Sequence, residues 1–107
     1  MNTPSKQRKK RLWIAVAQLK PKAGNDMLGG AAGAFVPVLV LAESAREVIS
    51  RIKAKATAYD FTLCGVQDIA PLTRSCRQRI SPGLLKLASK LTLDDPVAFG
   101  TFHSYEE

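Results

Sequence analysis

Between Ala34 and Ala70 the chain changes its hydrophobic period twice, and this stretch most restricts what it can fold into. Ala34 to Ala42 is a nearly continuous apolar run, and it stops at Ser44 with Glu47 three residues on. That spacing is a capping box, in which the hydroxyl and carboxylate satisfy free amides of a helix's first turn. Ala45, Val48, Ile49, Ile52 and Ala56 then recur at steps of three and four, which places them on one helix face. Arg46, Glu47, Arg51, Lys53 and Lys55 fill the rest, with Glu47 and Arg51 spaced for an ion pair. A second apolar run follows to Ala70, rich in the residue types of a covered strand. Strand, helix, strand at this length predicts a crossover between parallel strands.

Other elements follow from the same signals. Leu12 to Leu19 is apolar on both faces, as an interior strand is, and Pro21 ends it. Lys22 to Gly33 holds four glycines and leads into a strand, so it reads as a hairpin connection. Its glycine amides, aided by Lys20 and Lys22, could cradle an anion, but it matches neither phosphate-loop pattern. Pro37 predicts an edge position or a bulge, because proline cannot donate to a ladder. Ser81 and Pro82 open a second helix, with Leu84, Leu85, Leu87, Ala88 and Leu91 as its buried stripe. Asp94 to Pro96 turns the chain into a last strand, Val97 to Tyr105. The expectation is one α+β domain over 12–107, a two-layer sandwich in the order β-β-α-β-α-β. Its four-stranded mixed sheet carries both helices on one face.

Charge is unevenly distributed. Of the net +7, residues 1–22 supply seven cations and no acid, and the remaining nine cations are matched by nine acids. Residues 1–11 read as a disordered basic tail on a neutral body. Two cysteines are too few for a secreted disulfide scaffold, which favours a cytoplasmic protein with free thiols. Leu12 to Ala17 is too short for a signal peptide. Met27 to Ala42 is too short, and too rich in glycine and proline, for a membrane span.

No stretch carries a specific catalytic or ligand-binding motif, and no cofactor is expected. A thiol enzyme would have to use Cys76, whose thiolate Arg74, Arg77 and Arg79 would favour, with His103, the only histidine. Cys64, Asp68, Cys76 and His103 are metal-ligand types but lack the tight spacing of zinc sites, so no metal centre is expected. Cys64, between Leu63 and Val66, reads as a buried apolar residue. Nucleic-acid association would rest on Lys6, Arg8, Lys9, Lys10 and Arg11 with Arg74, Arg77 and Arg79, through salt-sensitive phosphate contacts. The preferred expectation is a non-catalytic protein-interaction module. If both helices cover one side of the sheet, Trp13, Phe99, Phe102 and Tyr105 on the other need a homo-oligomeric or partner interface, there or along the last strand's edge.

Overall fold

The computed structural model describes residues 10–73, 80 and 82–106. The chain runs β1 (Arg11–Pro21), β2 (Gly33–Ala42), α1 (Ala45–Ala58), β3 (Phe61–Pro71), α2 (Pro82–Ala88), β4 (Val97–Phe99) and β5 (His103–Tyr105). It is an α+β fold in the expected element order, with the final strand divided in two.

The sheet order is β3-β1-β2-β4, with β5 also paired to β2. Every neighbouring pair is antiparallel, so the sheet is not mixed. β2 and β3 do run parallel, as the crossover requires, but β1 lies between them. The doubly apolar first strand takes the middle and α1 carries the chain across it. The connection at 22–32 is a hairpin loop, tied down where Asn25 Nδ2 donates to the carbonyls of Asp60 (2.8 Å) and Tyr59 (3.1 Å).

Ser44 caps α1 as its sequence predicts, its Oγ accepting from the Glu47 amide at 3.2 Å. Val48, Ile52 and Ala56 are fully buried, and burial is worth about 1.5–3 kcal/mol for each of the two larger side chains. The stripe is narrower than the spacing suggests, since Ile49 is 42% exposed. Beneath it lie Ala15, Ala17 and Leu19 of β1 and Val36, Val38 and Val40 of β2.

The second helix corrects the expectation most. Leu84 of α2 packs with Leu39 and Ala98, and Leu39 alternates with Val38 and Val40 along β2. Successive strand residues point to opposite faces, so α1 and α2 lie on opposite sides of the sheet. The core is three-layered, and the physical reason is that β2 is apolar on both faces and can seat a helix on either.

Candidate functional site

α2 is only seven residues long and covers little more than Leu39 and Ala98. Beside it a cleft of about 660 Å³ opens between helix and sheet, walled by Ile14, Val16, Pro37, Ile80, Leu84 and Leu87. Asp68, Thr101 and His103 supply its polar side chains. Local irregularities shape both margins. On the β3 side the register slips between Ile14 and Val16, and Asp68 takes φ 56° there, a left-handed conformation aspartate tolerates better than most residues. A second slip, between Gln18 and Leu19, leaves Cys64 as an extra residue on the edge strand. Cys64 is therefore an exposed free thiol, not the buried apolar residue its neighbours suggest.

On the other margin, Val38 pairs with Phe99 but Phe35 pairs with His103. The last strand spends one more residue than β2 over this interval, and such an insertion reverses which face the side chains meet. The interruption sits at Pro37, whose carbonyl accepts from the Gly100 amide at 2.7 Å. Pro37 thus occupies an interior strand where its neighbour is broken, a local edge that suits a residue without an amide. Val97 and Phe99 end under α1, while His103 and Tyr105 reach the α2 side.

This reversal redistributes the four aromatic residues expected at an interface. Trp13 packs against the α1-side core, its Nε1 donating to the Ala42 carbonyl at 3.0 Å. Phe99 and Phe102 join the same core, 5.9 Å apart edge to face, with Phe102 5.7 Å from Phe61. All three thus have neighbours within the subunit. Tyr105 alone lies on the other side, its Oη accepting from Gln18 Nε2 at 2.8 Å and its ring 5.3 Å from Phe35. Phe35 is 37% exposed there. Sequence reasoning missed it, although the two-residue steps from Phe35 to Pro37 to Leu39 were the available signal. His103 is exposed at the cleft, and Cys76, its partner in a thiol mechanism, lies outside the described residues. Among the described residues no three metal-ligand side chains cluster.

Of the candidate basic residues, Lys10 and Arg11 are described, and Lys6, Arg8, Lys9, Arg74, Arg77 and Arg79 lie outside the described residues. Arg11 already belongs to β1. Lys10 Nζ lies 3.2 Å from Glu43 Oε2 and 3.1 Å from Glu47 Oε1. The hydrogen bonds it donates to Glu47, then to Glu43, raise its pKa. Glu47 Oε1 also accepts from Arg51 at 3.0 Å and from the Glu43 amide at 3.1 Å. Burial pushes this carboxyl up, but the bonds from Lys10, the Glu43 amide and Arg51 outweigh it and hold it below the ordinary glutamate value. At the same end of the sheet the Leu72 amide donates to the Leu12 carbonyl at 2.8 Å. The chain therefore enters at Lys10 and leaves at Thr73 on adjacent strands, which brings the flanks of the two basic stretches together.

Among the described residues no helix is long and apolar enough to cross a membrane. Compared with known proteins, the chain matches no protein-family model, no curated protein and no solved structure.

Proposed function

We propose that the chain is a small non-catalytic protein-interaction module that receives its partner, another protein or a second copy, in the cleft beside α2. The observation carrying this reading is the cleft itself, a concave apolar surface with a few polar groups at its margin, which is the usual character of a binding site. The sheet edges are poorer candidates. β3 is broken by two bulges, and β4 and β5 have three residues each; bulges and short strands both discourage strand addition. A cytoplasmic, reducing setting belongs to the same reading, because it keeps the exposed Cys64 a thiol. Site-specific photo-crosslinking from position 16 tests the proposal. A discrete adduct that disappears with Leu87→Lys supports it. A strict monomer at high concentration by light scattering, with no adduct, counts against it.

A second reading, nucleic-acid association, draws on the basic composition of residues 1–11 and 74–79, which adjoin the end of the sheet where the Leu72 amide bonds to the Leu12 carbonyl. Six to eight phosphate contacts would give affinity that falls steeply with salt, on the order of a thousandfold between 50 and 200 mM. Apolar docking survives that change. Binding of an oligonucleotide at the two salt concentrations separates the readings.

A further inference from the structure

Two register slips, on opposite margins of the sheet, each deliver a polar side chain to the cleft. On β3, Val66 and Ile69 both pack into the core beneath α1. They are three positions apart, which strict alternation of faces does not allow. The slip that reconciles them sets the β3 interval from Gln67 to Ala70 against the shorter β1 interval from Val16 to Ile14. Without it, alternation from Val66 would turn Asp68 into the apolar core and Ile69 out of it. With it, Ile69 stays in that core and the Asp68 carboxylate lines the cleft, at φ 56°. The residue added between Phe99 and His103 likewise brings His103 to the cleft.

Asp68 and His103 stand on β3 and β5, with β1 and β2 between them, a span of about 14 Å at the usual strand spacing. Ile14, Val16 and Pro37 form the apolar floor of that span. Among the described residues that line the cleft, Asp68 is the one acid, and no lysine or arginine accompanies it. A carboxylate accepts hydrogen bonds and donates none, so a cationic donor is the group that complements it. Asp68, Thr101 and His103 are all exposed, so the cleft is a trough open to solvent along its polar margins. Small-molecule sites enclose about 70–90% of their ligand; an open trough suits a segment of a larger partner.

Resting on the cleft-docking reading above, we propose that the partner presents a short segment in which one lysine or arginine is flanked by apolar side chains. Its cation meets Asp68 at the β3 margin, and its apolar side chains seat on Ile14, Val16 and Leu84. About four residues of extended chain cross the floor. Apolar contact supplies most of the affinity, and the charge sets orientation and excludes acidic competitors.

The test is selection of displayed random peptides on the full chain, with counter-selection on Val16→Lys and, independently, on Leu87→Lys, followed by titration of the selected peptides against Asp68→Asn. Each variant is checked for native circular dichroism. Asparagine tolerates the left-handed backbone as aspartate does, so Asp68→Asn removes the charge alone. Peptides that place a Lys or Arg within a few residues of Leu, Ile or Phe, and that bind Asp68→Asn about tenfold more weakly, are the expected result. Cleft-dependent peptides that are acidic or uncharged, or that bind Asp68→Asn equally well, overturn the cation assignment but leave cleft docking standing. Failure to recover any cleft-dependent peptide overturns both. A dimer by light scattering that excludes every peptide, and that is lost with Val16→Lys, makes a second copy the occupant and overturns the peptide assignment.

Discussion

Replacing Gly33 with alanine is the most informative single change to the fold. A Cβ built there lies 2.7 Å from the Leu19 carbonyl oxygen and 2.5 Å from Tyr105 Oη. The two contacts differ in what can give way. Tyr105 is a side chain and can swing out, but it then loses the 2.8 Å bond from Gln18 and its packing 5.3 Å from Phe35. The Leu19 carbonyl belongs to the central strand, paired on both sides, so relieving it moves backbone. Overpacking of this kind costs about 1–3 kcal/mol, and a lost hydrogen bond adds about 1. The aromatic pair contributes about 0.5–1.5 kcal/mol more. Gly33→Ala should therefore destabilise by about 2.5–5.5 kcal/mol, lowering the urea midpoint at unchanged slope. Gly30→Ala is the control. It meets nothing within 4 Å but has φ 89°, so only the left-handed strain of about 1–2 kcal/mol applies. A Gly33→Ala cost below that of Gly30→Ala would refute the argument.

Two further outcomes follow from the ion pairs. Glu47 has a folded pKa below its ordinary value, so its contribution is present above the glutamate range, near pH 4.3 as a rough reference, and is lost as pH falls through the folded value. Glu47→Gln should flatten the acid limb of stability against pH, and identical acid limbs in the two chains would contradict this. Lys55 Nζ donates to the Val97 carbonyl at 2.7 Å and meets exposed Asp95 at 3.3 Å, lying 5.5 Å from the Tyr59 ring and 5.7 Å from that of Phe99. Lys55→Met keeps the stem but removes the charged bond, so it should cost about 1–2 kcal/mol by urea titration. Asp95→Asn should cost about 0–1, and equal losses would mean that the surface pair dominates.

Particular residues show where sequence reasoning reaches and where it stops. The Ser44 cap, the Val48–Ile52–Ala56 stripe and the interior first strand were legible because each depends on neighbours a few positions away. The side of the sheet that α2 covers was not. Phe35 to Leu41 is apolar at nearly every position, so alternation cannot say which face is already occupied. The divided last strand was half visible. Pro37 pointed to a break in a ladder, but the break fell in its partner strand, and the added residue there sent His103 and Tyr105 to the α2 side. The cleft arises from that reversal together with the shortness of α2, and both depend on contacts between distant stretches.

The cleft exists only because the two helices lie on opposite faces of the sheet. A double-mutant cycle between Leu39→Ala and Leu84→Ala measures it directly, with Val38→Ala and Leu84→Ala as the reference cycle. Leu39 and Leu84 share one cluster while Val38 lies in the other, so the first pair should couple by about 0.5–3 kcal/mol and the second should add to within about 0.5. Coupling of Leu84 to Val38, with additivity toward Leu39, would put both helices on the same face and remove the cleft.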